Sequence, residues 1–209
     1  MVVSFDLFGT LVTVERPDDP AEAVAHELRE RGVTIPDDWA RAYREPQVAV
    51  DPGRETPLSE HVSAALESRD VDADDATVRA AVLAAFDRPV ATREGAEAAV
   101  DAAARHGTVG VLSNCSVTGL VERALDQSTI DPERFDAVVA SVDSGWRKPD
   151  PRAFEAVAGA LDAPVERLVH VGDDPATDGA ASEAGATPLL LSDVPLRDFP
   201  AELEAIRSR

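Results

Sequence analysis

Apolar positions in this chain follow two rhythms. Five short runs, Val2 to Phe5, Thr108 to Leu112, Ala137 to Ala140, Leu168 to Val171 and Pro188 to Leu191, have the length and continuity of strands buried on both faces. Between them, Arg93 to Arg105, Val117 to Leu125, Arg152 to Leu161 and Thr177 to Ala184 are spaced as helices, with Gly107 and Gly185 placed as stops. Short apolar strands alternating with helices predict an α/β fold: a doubly wound, Rossmann-like parallel sheet with helices on both faces.

From about Val14 to Pro89 the pattern is helical. Pro20 to Arg31, Asp37 to Arg44, Leu58 to Ser68 and Asp74 to Phe86 are amphipathic, the Pro- and Gly-containing stretch Glu45 to Pro57 reads as a loop, and no segment is a convincing strand. The expected division is an α/β core of residues 1–13 and 90–209, with residues 14–89 inserted after the first strand as a small all-helical unit.

Composition narrows the partners. The 40 acidic and 20 basic residues give a formal net charge of −20, which disfavours nucleic acid and anionic membranes, while 44% hydrophobic residues suffice for a core. The acid excess, with arginine as every basic residue but one, points to a salt-rich cytosol in which carboxylate repulsion is screened. Unfolding in low-salt buffer is the corresponding expectation. A single cysteine, Cys115, an N-terminus without a basic region, and the lack of a run near the ~20 apolar residues of a membrane span fit a soluble cytoplasmic protein.

Ligands of parallel sheets gather at the carboxyl ends of the strands. Here those ends carry, in order, Asp6-Leu7-Phe8-Gly9-Thr10, Leu112-Ser113-Asn114, Lys148-Pro149-Asp150 in the loop after the third strand, and Gly172-Asp173-Asp174 with Asp178 behind. Lys148 is the only lysine in the chain. A compact ammonium reaches into a nest of carboxylates that the planar fork of arginine does not fit, so this lysine reads as retained for chemistry. Three carboxylates (Asp6, Asp173, Asp178) against that one ammonium leave a net charge of −2, which repels an anionic substrate. A hard divalent cation such as Mg²⁺ removes the excess, and carboxylate oxygens are its preferred ligands.

These motifs, spread over residues 1–13 and 90–195, resemble those of the haloacid dehalogenase superfamily, and the intervening helices match the position of that family's first type of cap. The resemblance implies that Asp6 is a nucleophile forming a covalent aspartyl intermediate that water hydrolyses. Ser113 would then hydrogen-bond the transferred group, and Lys148 would neutralise it and orient Asp6. Mg²⁺ would be held by Asp6, the backbone carbonyl of Phe8, Asp173 and Asp178, and the substrate would be a small phosphate monoester. Gly9 permits a turn that points backbone N–H groups at a phosphate, Thr10 holds that loop, and Asn114 either contacts the transferred group or caps a helix starting near Val117. Asp174 is either a solvated charge or a neighbour supporting the metal ligands.

One position departs from the pattern. Phosphatases of this superfamily carry a second aspartate two residues after the nucleophile as general acid and base, and here that residue is Phe8. Such help is worth about 10²–10⁴ in rate. Two-haloacid dehalogenases also lack that aspartate, since halide leaves without a proton, but their metal-free sites resemble Ser-Ser-Asn where this chain has Gly172-Asp173-Asp174. They also need an arginine for the substrate carboxylate, for which Arg41, Arg44 and Arg54 are available. Phosphonate hydrolases of the superfamily use a cap lysine, and residues 14–89 contain none. The readings are therefore a magnesium-dependent phosphatase, a 2-haloacid dehalogenase, or a catalytically weak binding protein. His26, His61, His106 and His170 lack metal-ligand spacing, and His170 reads as a core or sheet-edge residue. Trp39 reads as packing, Trp146 as packing or a substrate or partner contact, and Cys115 as a small buried hydrophobe.

Overall fold

Seven strands and nine helices are seen among residues 1–207, which the computed structural model describes. The strands are β1 (Val2–Phe5), β2 (Val12–Val14), β3 (Val90–Thr92), β4 (Thr108–Ser113), β5 (Ala137–Ala140), β6 (Leu168–Gly172) and β7 (Thr187–Leu190). The helices are α1 (Pro20–Glu30), α2 (Trp39–Arg44), α3 (Leu58–Glu67), α4 (Asp75–Phe86), α5 (Ala96–Ala104), α6 (Leu120–Gln127), the single turn α7 (Ser141–Ser144), α8 (Pro151–Ala160) and α9 (Phe199–Arg207). No described helix is long and apolar enough to cross a membrane.

Five strands form one parallel sheet in the order β5-β4-β1-β6-β7. β1 is central and buried throughout, with Val3 in register with Val109 on one side and Val169 on the other. Alternate residues face opposite layers. Val3, Phe5, Val109, Val111, Val169 and Val171 join the larger core, where the Phe5 ring meets Phe199 of α9 edge-on at 5.4 Å. Val2, Leu112 and Leu168 face the other layer, against Phe154 and Val157 of α8. The α/β, Rossmann-like architecture follows, and its order reverses direction beside β1, so a crevice opens at the carboxyl ends of β1, β4 and β6.

The helices α1 to α4 lie between β2 and β3 in the chain and share the larger core with the sheet through Val24, Leu28, Val62, Leu66, Val78 and Val82. Aspartates set several helix starts: Asp19 accepts from Ala21 and Glu22 N–H ahead of Pro20, Asp74 from Thr77 N–H, and Asp150 from Arg152 N–H ahead of Pro151. Trp39 is buried and donates its indole N–H to the Ala21 carbonyl at 2.7 Å, a packing role that also ties α2 to α1.

The structure corrects several sequence expectations. β2 and β3 form an antiparallel ribbon, with Val12 opposite Thr92 and Val14 opposite Val90, that brings both ends of the helical segment together. Three-residue strands are too short for alternation to register. Thr177 to Ala184 is not an α-helix; Gly179–Ala184 winds as a tighter 3-10 segment, because Asp178 is turned back into the sheet and Gly185 stops the chain seven residues later. α6 begins at Leu120 with Gly119 at its cap position, so Asn114 does not cap it. The last strand starts at Thr187, one residue earlier than its apolar run.

Candidate active site

Three strand ends and one loop converge on Lys148. Its side chain is buried, and each of its three N–H bonds has an acceptor: Asp6 Oδ1 at 2.8 Å, Asp178 Oδ1 at 2.6 Å and the Leu112 carbonyl at 3.0 Å. Asn114 places this lysine by clamping its backbone from β4. The amide Nδ2 donates to the Lys148 carbonyl at 2.8 Å, and Oδ1 accepts from the Lys148 N–H at 2.8 Å. Asn114 is thus a positioner of the lysine loop.

Asp6 follows β1 directly, and its N–H donates to the Val171 carbonyl of β6 at 2.8 Å. Thr10 is buried and donates to Asp173 Oδ1 at 3.0 Å, tying the turn after β1 to the end of β6. Two glycines make that approach possible. At Gly9, whose φ is +96°, a Cβ would lie 2.6 Å from Asp173 Oδ2, and at Gly172 a Cβ would lie 2.1 Å from Asp178 Cγ. Oxygens of Asp6, Asp173 and Asp178 lie within 4.8 Å of one another. This all-carboxylate donor set fits a hard cation. Ser113 Oγ is buried at the end of β4 and has no hydrogen-bond partner among the described residues. A buried hydroxyl left unpaired keeps a donor and acceptor free for a further partner.

His170, in β6, does more than fill core. It is fully buried, its Nδ1 lies 2.7 Å from Ser4 Oγ, its Nε2 lies 3.1 Å from Asp178 Oδ1, and Phe154 packs edge-on against the ring at 5.2 Å. Burial depresses its pKa to about 4, so the neutral ring accepts from Ser4 and donates to Asp178. Asp174 donates its backbone N–H to Asp178 Oδ2 at 3.0 Å while its own carboxylate accepts from Ala176 N–H at 2.8 Å, so it shapes the loop behind Asp178.

The two carboxylates that share Lys148 titrate in opposite directions. Burial raises Asp178, but the hydrogen bond from His170 and the charge of Lys148 together outweigh it and hold the group below the usual carboxylate range. Burial also raises Asp6, and with Asp178 and Asp173 repelling its charge it outweighs Lys148, lifting the pKa from 3.8 to about 6. The native state then holds a proton that the unfolded chain has released between about pH 4 and 6, so stability from this residue falls as pH rises through that window. Carboxyl-carbon NMR of the metal-free protein should show Asp6 ionising near pH 6, and Mg²⁺ should move that midpoint down. A midpoint near 4 that is indifferent to the ion would contradict this electrostatic picture.

Asp6, Ser113, Lys148, Asp173 and Asp178 line an inner chamber of ≈ 310 Å³. It adjoins an outer chamber of ≈ 810 Å³ reaching Tyr43 of α2 and Phe86 of α4. Arg41, Arg44 and Arg54 line neither chamber. Arg41 pairs with Asp38 and Glu45, and Arg54 stacks on Trp146 at 4.5 Å. Trp146 is also covered by Arg152 at 3.4 Å, so it is a packing residue between two guanidinium groups. Instead Arg16 and Arg147, which the motifs do not single out, line both chambers. Adjacency to Lys148 was the available signal for Arg147; Arg16 offers none. Cys115 is buried, and burial pushes its thiol up to about 11, so it is inert. Another depression of ≈ 740 Å³, along Thr92, Glu97 and Gln127, holds none of these groups.

Comparisons with known proteins address the fold and the family. No curated protein matches the chain significantly. Among solved structures, CbbY from Rhodobacter sphaeroides in complex with phosphate is 22% identical, with a TM-score of 0.60 over 90% of this chain and 84% of that one. A 2-haloacid dehalogenase from Pseudomonas syringae pv. Tomato DC3000 is 19% identical, with a TM-score of 0.62 over 99% and 98%. The enzyme bt-2542 from Bacteroides thetaiotaomicron, in complex with magnesium and inorganic phosphate, is 17% identical, with a TM-score of 0.56 over 90% and 92%. These likenesses concern the fold, and they include two structures that hold phosphate and one 2-haloacid dehalogenase. The family model for haloacid dehalogenase-like hydrolases matches residues 1–185, and the chain belongs to that family of hydrolases.

Proposed function

We propose that this hydrolase is a magnesium-dependent phosphatase of small phosphorylated metabolites that works through an aspartyl-phosphate at Asp6. The supporting observation is the set of three carboxylates whose oxygens lie within 4.8 Å with one ammonium among them. Without a cation that set repels any anion, and a dehalogenase substrate is itself an anion. Asp6, the Phe8 carbonyl, Asp173 and Asp178 would hold Mg²⁺, which when bound supplies the positive charge that lets a carboxylate approach a phosphoryl group.

The chain's own residues account for the remaining steps. An Asp6 oxygen attacks phosphorus, the P–O bond to the leaving group breaks with its electron pair, and water then cleaves the aspartyl-phosphate. Ser113 Oγ, unpaired in the buried site, donates to an oxygen of the transferred group. Lys148 holds Asp6 by a 2.8 Å bond and keeps the attacking oxygen oriented. In this reading residues 14–89 act as a cap whose Tyr43, Leu58 and Phe86 wall the outer chamber and receive the leaving group.

Phe8 favours one second reading, a 2-haloacid dehalogenase, because halide needs no proton. Incubation with p-nitrophenyl phosphate and with 2-chloropropionate, each with Mg²⁺ or EDTA, separates the two. Phosphate release that requires Mg²⁺ supports the phosphatase; chloride release indifferent to EDTA replaces it with the dehalogenase. Silence toward both and toward a broad phosphate panel leaves a binding protein. The Ser4–His170–Asp178 chain gives a further expectation: His170→Leu should weaken Mg²⁺ binding by about 10–100-fold in calorimetry while the fold persists by circular dichroism. Unchanged affinity would mean that Asp178 needs no help from His170.

A further inference from the structure

Lys148 has no N–H left for a substrate, since Asp6, Asp178 and the Leu112 carbonyl take all three. The other cations lining the two chambers are Arg16 and Arg147. Arg16 is exposed and makes no ion pair or hydrogen bond among the described residues, and the nearest acid to Arg147 is Glu55, at 3.9 Å. Glu55 Oε2 already accepts from Ser141 Oγ at 2.8 Å. Arg147 is thus held only by that longer pair and Arg16 by none, so both guanidinium groups keep donors to offer at one place.

Their position says what they bind. Asp6 and Ser113, which meet the transferred group, and Lys148 behind them line only the inner chamber, whereas Arg16 and Arg147 line both and so stand where one passes into the other. They reach the chain from separate segments, one just after β2 and one just before Lys148. The outer wall beyond them mixes apolar residues, among them Val14, Tyr43, Leu58, Phe86 and Leu120, with polar ones; its acids Glu15 and Asp18 are exposed to solvent, and Asp173 is shared with the inner chamber. A guanidinium fork matches the two oxygens of a carboxylate or phosphate.

We infer that Arg16 and Arg147 form a second anion subsite, so that the substrate carries a carboxylate or phosphate on its body in addition to the group transferred to Asp6. The inference rests on the phosphatase reading of the inner chamber, and its test does not depend on turnover. Calorimetry in Mg²⁺ buffer, at the lowest salt that preserves the fold by circular dichroism, would compare benzylphosphonate, 4-carboxybenzylphosphonate and 1,4-phenylenebis(methylphosphonate). The wild type should bind a doubly anionic probe about tenfold tighter than benzylphosphonate. The better of the two identifies the second group as carboxylate or phosphate. In the Arg16→Gln/Arg147→Gln double variant the preference should fall to about one. No preference in the wild type, a preference that survives the double substitution, or no binding of any probe overturns the subsite. An arginine-dependent preference without hydrolysis of p-nitrophenyl phosphate overturns only the phosphatase reading, and hydrolysis without a preference overturns only the subsite.

Discussion

Lys148→Met is expected to lower the stability of the folded chain by about 3–5 kcal/mol and to abolish turnover, because it strands two buried carboxylates. Asp6 and Asp178 each accept from the ammonium and each already pays a desolvation cost, which for Asp6 lifts the pKa to about 6 even with the lysine present. Removing the cation should drive Asp6 further up, so that the proposed nucleophile is protonated over more of the working range. Lys148→Arg separates charge from shape. The guanidinium keeps the positive charge, but Nζ meets three acceptors at 2.6–3.0 Å around a single nitrogen, in a pocket that leaves the residue 2% exposed. A planar fork does not reproduce that geometry, and turnover should fall by at least about 10²–10³-fold. Urea unfolding and steady-state kinetics at matched salt check both variants. Near-normal activity of Lys148→Arg would show that the chain's only lysine is kept for no chemical reason.

The parts of this molecule that were legible in its sequence are those where burial is continuous. Val2 to Phe5 and Leu168 to Val171 announce strands because both sheet faces are covered, and the residues after them, Asp6 and Asp173, fall at the site because parallel strands all end on the same side. The ribbon of β2 and β3 was not legible, since each strand is three residues long and gains its meaning from a partner 76 positions or more away. His170 illustrates a half-signal. A polar residue between Val169 and Val171 must find partners if buried, but only the register that sets Ser4 beside it, and the loop that returns Asp178, reveal which. Asn114 similarly reads as a ligand or cap and proves to clamp a loop 34 residues away. Arg16 is the extreme case, since nothing local distinguishes it from eighteen other arginines until the fold carries it to the chamber that Asp6 lines.

Phe8→Asp is expected to raise hydrolysis of alkyl phosphates by about 10²-fold or more while changing p-nitrophenyl phosphate only a few-fold. Phe8 lies two residues past Asp6, lines both chambers and packs beside Val14, Phe86 and Leu120, so in the proposed phosphatase this wall offers the departing oxygen carbon where a proton donor could stand. An alkoxide leaves poorly without a proton, whereas p-nitrophenolate is stable unprotonated, so an acid placed here should help the first and barely the second. The substitution exchanges a half-buried ring for a carboxyl at a loss of about 1–2 kcal/mol, which thermal unfolding will register. Phe8→Asn supplies the control, since it removes the same ring and adds polarity but has no proton of suitable acidity to give. A gain shared by Phe8→Asn, or equal gains on both substrates, would place the effect of Phe8 in access to the chamber and not in proton transfer.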